Sequence, residues 1–130
     1  MFLDASVIVA IIAREPGHKP ILDRLEQAGQ AISSPIAVWE AAIALSRIGG
    51  QSPVTEAGRV RDLLAQIDTT IMPVTEEVGH AAVLAFQRYG KSTGHPAQLN
   101  LGDCFAYAMA KTHGMAILYK GDDFTQTDLA

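Results

Sequence analysis

The sequence predicts an α/β layered fold built on a mostly parallel sheet. Short apolar stretches that suit strands alternate with longer segments whose apolar residues recur at helical spacing. The chain has 130 residues, the size of one domain with one core, so a single domain over 1–130 is expected. Hydrophobic residues make up 48% of it, enough to fill that core and too many for a disordered chain.

The elements follow in order. Met1 to Leu3 is a short apolar strand that runs through Asp4-Ala5-Ser6 into a helix over Val7 to Ala13, ended by "REPG". His18 to Ala28 places Ile21, Leu22, Leu25 and Ala28 at helical spacing, and Gly29 closes it. "AISS" is a second strand. Pro35 then suits a first helical turn, and "PIAVWEAAIALSRI" is helical up to Gly49-Gly50. "PVTEAGRVRDLLAQI" is a further amphipathic helix and "TIMPV" a short extended piece. Thr75 caps "EEVGHAAVLAFQRY", whose leading glutamates favour a helix N-terminus. "GKSTGHPAQ" is a loop, "LNLGDCFAYAMA" a helix, "MAILY" a strand and "KGDD" a turn.

Net charge is −4 and the pI is about 5.4, which excludes a broadly basic nucleic-acid clamp while leaving room for a local basic patch. Cys104 is the one cysteine, so no internal disulfide forms; it reads as a core residue in a reduced, cytoplasmic protein. The apolar N-terminus has no basic flank, is interrupted by Asp4, and is far shorter than the ~20 residues of a membrane span, so no membrane association is expected. His18, His80, His95 and His113 lack zinc-ligand spacing, and there is no P-loop, GxGxxG, GxSxG or HExxH.

What stands out is a set of acids in apolar surroundings. Glu40 shares a helical stripe with Ile36, Ile43 and Arg47, which turns it inward. Asp4 follows the first strand, where a helix N-cap worth about 1 kcal/mol would also explain it. Asp103 lies three residues after Asn100, the spacing of a capping box. Asp122 and Asp123 follow the last strand, in a turn where aspartate is ordinary. Each has a structural explanation alone. Together they point elsewhere, because strand carboxyl ends in a parallel sheet share one edge, and ligands bind there. Carboxylates gathered at one edge repel one another unless they hold cations, and an all-oxygen donor set suits Mg²⁺ or Mn²⁺.

The segments "FLDASVIVAI", "AVWEAAIAL", "LNLGDCFAYAMAK" and "ILYKGDDF" resemble, in order and across almost the whole chain, the signature segments of PIN-domain ribonucleases, and among them VapC-type toxins of type II toxin–antitoxin systems. The resemblance implies a three-layer α/β/α fold around a short parallel sheet and Mg²⁺- or Mn²⁺-dependent cleavage of RNA. The family's acids fall on Asp4, Glu40 and Asp103, and the fourth on Asp122, with Asp123 as its competitor. Ser6 falls where a small polar residue supports the metal site, whereas Ala5 replaces the Ser or Thr of many relatives. The resemblance also implies a homodimer and a small VapB-like antitoxin that occludes the site.

The leading reading is therefore a metal-dependent endoribonuclease toxin. The alternatives are a DNA-directed or structure-specific nuclease on the same fold, a non-catalytic PIN-like module, and a Mg²⁺-dependent phosphatase or receiver. Arg14, Lys91, Lys111 and Lys120 are candidates for phosphate contact. The helix carrying Val60, Leu63, Leu64 and Ile67 is the expected dimer face.

Overall fold

Four strands of two or three residues make one parallel sheet: β1 (Phe2–Leu3), β2 (Ala31–Ser33), β3 (Thr69–Ile71) and β4 (Ile117–Leu118), in spatial order β3-β2-β1-β4. The computed structural model describes residues 1–130. Phe2 is in register with Ile32 on one side and Ile117 on the other, and Leu3 with Leu118. Adjacent residues of a strand point to opposite faces. Phe2 and Leu3 are both fully buried, so both faces of the sheet are covered.

Six helices cover it: α1 (Ala5–Ile12), α2 (His18–Ala28), α3 (Pro35–Gly49), α4 (Pro53–Gln66), α5 (Glu76–Tyr89) and α6 (Leu101–Thr112). α5 packs along α6, which lies against β1 and β4. α3 packs on α4 and on α1, and α2 on α1. This is the expected three-layer α/β/α arrangement.

The helix starts are set by short polar side chains. Ser34, Ser52, Thr75 and Asn100 each accept a hydrogen bond from the amide three residues on, with Pro35 and Pro53 in the first turn of their helices. Several boundaries differ from the sequence expectation: α6, for one, runs Leu101–Thr112 rather than from Leu99 to Ala110. α1 begins at Ala5, ahead of Val7, because Asp4 caps it by accepting from the Ser6 N–H at 3.0 Å. β3 lies over Thr69–Ile71, earlier than "TIMPV": the Met72 N–H still reaches Ser33 O at 3.0 Å, and Pro73, lacking a donor, ends the ladder. β4 is only Ile117–Leu118 of "MAILY".

Two residues of the expected dimer face are taken by the core. Val60 and Leu64 are core residues, 0% and 1% exposed, and cannot meet a second copy. Large apolar side chains that do face solvent are Val54 near the start of the same helix and, on other helices, Trp39, Val83 and Leu101.

Candidate functional site

β1 delivers Asp4 to the carboxyl edge of the sheet, and the Asp4 N–H is held by Leu118 O at 3.0 Å where β4 ends. Ser6, in the first turn of α1, donates its hydroxyl to Asp4 Oδ2 at 2.5 Å and accepts from the Lys120 N–H at 3.0 Å. One hydroxyl thus fixes the Asp4 carboxylate and ties the exits of β1 and β4 together. Ser33, at the end of β2, donates its hydroxyl to Leu3 O at 3.0 Å and secures the neighbouring strand.

Asp103 enters from the start of α6. Its Oδ2 accepts from the Asn100 N–H at 3.0 Å, while Asn100 Oδ1 accepts from the Asp103 N–H at 2.9 Å, a complete capping box. Glu40 comes from α3. Its stripe is shallower than expected: Ile36, Glu40 and Ile43 are half-buried and Arg47 exposed, because the core face of α3 is Ala37, Val38, Ala41, Ala42 and Leu45. The Glu40 carboxylate reaches across to α6 and lies over Gly102.

These side chains line one cavity of about 510 Å³ with Ser6, Asn100 and Asp123. The sequence preferred Asp122 as the fourth acid. Asp122 does not line the cavity; Asp123 does, and its charge acts on both Asp4 and Asp103. The left-handed Gly121, φ 102°, turns the chain here, and one residue of turn decides which carboxylate faces inward.

The electrostatics follow from this crowding. Burial raises the Asp4 carboxyl above its usual range, hydrogen bonds from Ser6 and Ala5 oppose the rise, and the charge of Asp123 adds to it. Glu40 is raised to about 7, first by burial and then by Asp4 and Asp103. Asp103 is raised to about 6 by burial, helped by Asp123 and Asp4 and opposed by the Asn100 N–H and by Lys91. Neighbouring carboxylates thus add to burial in making Asp4, Glu40 and Asp103 harder to ionise, the pattern of a site short of positive charge. Glu40 makes no hydrogen bond or ion pair within the protein.

The donor chemistry fits a hard divalent cation. The lining acids offer only oxygen, and no sealed side-chain oxygen lacks a partner, so the unbonded oxygens of Glu40 and Asp103 open onto the cavity. No three of the acidic, histidine or cysteine groups stand close enough to share one ion as they are, so binding would require side-chain rotation toward it.

Among the basic residues, Lys120 lines the cavity and forms an ion pair with Glu15 at its mouth. Lys91 acts on Asp103 by charge alone. Lys111 is committed to Asp128 at 3.0 Å, and Arg14 faces a different hollow beside Arg59 and Asp62. Glu15 and Asn100 are lining residues that the sequence did not single out for the site; no local pattern marks Glu15, whose partner is 105 residues away.

The acids of this cavity stand at the carboxyl edge of a parallel α/β sheet, the edge at which ligands bind in folds of this class. The PIN domain family model matches residues 1–129, and the chain belongs to that family. It is 42% identical over 139 aligned positions to a VapC ribonuclease of Rhizobium meliloti (strain 1021), covering 98% of each chain. It is 37% identical to ribonuclease VapC42 of Mycobacterium tuberculosis, covering 99% of this chain and 96% of that one. Two solved structures share the fold. One is a toxin–antitoxin complex from Klebsiella pneumoniae, with a TM-score of 0.71, 18% identity, and coverage of 98% of this chain and 92% of that one. The other is Mycobacterium tuberculosis VapC20, a toxin that cleaves the sarcin–ricin loop, with a TM-score of 0.72, 18% identity, and coverage of 95% and 92%.

Proposed function

We propose that the protein is a Mg²⁺- or Mn²⁺-dependent endoribonuclease, the toxin of a type II toxin–antitoxin pair. The observation that carries this is the convergence of Asp4, Glu40, Asp103 and Asp123 on one cavity, where Lys120 is the single basic residue. Family membership and the ribonuclease names of relatives matching nearly the full length support the substrate class.

Asp4, Glu40, Asp103 and Asp123 would hold the ion; Asp122, one residue away, does not line the cavity. When bound, the ion supplies positive charge to the scissile phosphate and acidifies the attacking water. Ser6 keeps Asp4 in one orientation through Oδ2. The capping box does the same for Asp103 and leaves Oδ1 facing the cavity. Glu40, which makes no hydrogen bond or ion pair of its own, would be free to turn its carboxylate toward the ion and the water beside it. Lys120 at the rim would bind a flanking phosphate.

No histidine lines the cavity to deprotonate a ribose 2′-hydroxyl. Water attack in line with the departing 3′-oxygen follows, and leaves a 5′-phosphate and a 3′-hydroxyl. The partner would be a small VapB-like antitoxin that covers the cavity and presents a cation to the acids, and the toxin would act as a homodimer in the cytoplasm. No helix is long and apolar enough to cross a membrane.

The test is cleavage of total RNA with end-group analysis. Activity should vanish in EDTA and return with Mg²⁺ or Mn²⁺, yielding 5′-phosphate ends. A 2′,3′-cyclic phosphate, or undiminished cleavage in EDTA, overturns the mechanism.

A further inference from the structure

We propose that Gly102 is a positioning residue for the site: a position without a side chain lets Glu40 of α3 lay its carboxylate over the first turn of α6, beside Asp103. This rests on the metal-dependent reading above.

An ideal Cβ at Gly102 would stand 2.0 Å from Glu40 Oε2, 2.3 Å from Cδ and 2.4 Å from Oε1. All three atoms of the carboxyl group therefore occupy the space that any other residue would fill. Backbone conformation does not call for glycine here, since Gly102 is an ordinary helical residue outside the left-handed region. Glycine inside a helix is disfavoured relative to alanine, so its presence calls for a cause, and the three atoms nearest the missing Cβ are all of the Glu40 carboxyl group. Gly58 and Gly79, also helical, have nothing within 4 Å of such a Cβ.

The colliding atoms are the tip of a flexible side chain. An alanine at 102 therefore expels the Glu40 carboxylate by rotation and leaves α6 in place. The cavity keeps Asp4, Asp103 and Asp123, but the Glu40 carboxylate loses the place over α6 from which it can turn toward an ion shared with them. Gly102 touches neither substrate nor ion and acts through Glu40.

The experiment measures Mn²⁺ affinity by electron paramagnetic resonance, together with thermal melting and RNA cleavage. The proteins are the wild type, Gly102→Ala, Glu40→Ala, the Gly102→Ala/Glu40→Ala double variant, and Gly58→Ala as a control. Gly102→Ala should melt at or above the wild-type temperature, bind Mn²⁺ about tenfold or more weakly, and lose cleavage in step, in the range seen when groups that orient metal ligands are removed. In the Glu40→Ala background the same substitution should change Mn²⁺ affinity no further. Gly58→Ala should match the wild type in binding and cleavage.

Wild-type Mn²⁺ affinity in Gly102→Ala overturns the proposal, as does an equal loss with and without the Glu40 carboxylate. If Gly102→Ala fails to fold, melting of the double variant decides: recovery supports the close approach of the two residues, and continued unfolding overturns it. A wild-type protein that binds no Mn²⁺ removes the metal reading itself and this proposal with it, an outcome distinct from a wild type that binds and a Gly102→Ala that binds equally.

Discussion

Asn100 and Asp103 cap each other. Asn100 Oδ1 accepts from the Asp103 N–H at 2.9 Å, and Asp103 Oδ2 accepts from the Asn100 N–H at 3.0 Å. One oxygen of Asp103 thus secures the start of α6 while the other faces the acid cavity. The helix-capping and ion-holding readings of this residue are compatible, because they use different atoms. They separate on substitution. Asp103→Asn keeps an acceptor for the Asn100 N–H and removes the charge, so stability should change by less than about 1 kcal/mol while cleavage falls by about a hundredfold or more. Asp103→Ala should lose activity and, in addition, about 1–2 kcal/mol in urea unfolding. Full activity in Asp103→Asn would leave only the cap.

Ser6 offers a second separation. Its hydroxyl donates to Asp4 Oδ2 and accepts from the Lys120 N–H, so it holds a carboxylate and a strand exit at once. Ser6→Ala should cost about 1–3 kcal/mol in stability and weaken Mg²⁺ activation about tenfold, read as the Mg²⁺ concentration at half-maximal cleavage. Ser6→Thr, which restores a hydroxyl at the same place, should recover most of both. An unchanged Mg²⁺ requirement in Ser6→Ala would confine Ser6 to folding.

The alternation of strands and helices was legible because it depends on local pattern, and so were the caps at Thr75 and Asn100. Asp4, Glu40 and Asp103 were legible as a group once the parallel sheet was assumed, since its edge brings strand exits together. Asp123 was not, because choosing between neighbouring acids in a turn depends on the backbone angles around Gly121 and not on composition. Glu40 was read as inward from its stripe, yet it is half-buried; what turns it to the site is the close passage of α6 at Gly102, a tertiary fact with no local trace. Two residues of the expected dimer face, Val60 and Leu64, turned inward for a related reason. Periodicity shows that Val60 and Leu64 share a face, but it cannot show that the domain's own core consumes that face.

The metal-free protein should be more stable in mild acid. Folding raises Glu40 from 4.5 to about 7 and Asp103 from 3.8 to about 6, so the native state binds protons more tightly than the unfolded chain. Where the native state holds the extra protons, stability falls as pH rises, across the window from about 4 to about 7. In EDTA the melting temperature should be higher at pH 5.5 than at pH 8. Glu40→Gln should flatten that slope and raise the melting point at pH 8. Adding Mg²⁺ should stabilise most at pH 8, where the acids are ionised. A melting temperature in EDTA that rises between pH 5.5 and pH 8 contradicts the crowding of these carboxylates.

Lys120 and Glu15 pair at the mouth of the cavity, each about one-third exposed. A pair so open to water contributes little to stability, about 0–1 kcal/mol, so its placement matters more than its strength. Lys120 is the one basic residue lining the acid cavity, and Glu15 occupies its ammonium with an anion. An RNA phosphate at the same spot must compete with the Glu15 carboxylate. Glu15→Gln should therefore free the lysine and lower KM for RNA a few-fold, with kcat little changed. Lys120→Met should raise KM by about three- to tenfold, and both effects should shrink as salt is raised from 50 to 300 mM. Both variants should keep wild-type melting temperatures within a few degrees. The informative comparison is the sign of the Glu15→Gln effect. If KM rises when the acid is neutralised, Glu15 serves to hold Lys120 for the substrate and does not compete with it, and the lysine's position would then depend on the pair staying closed.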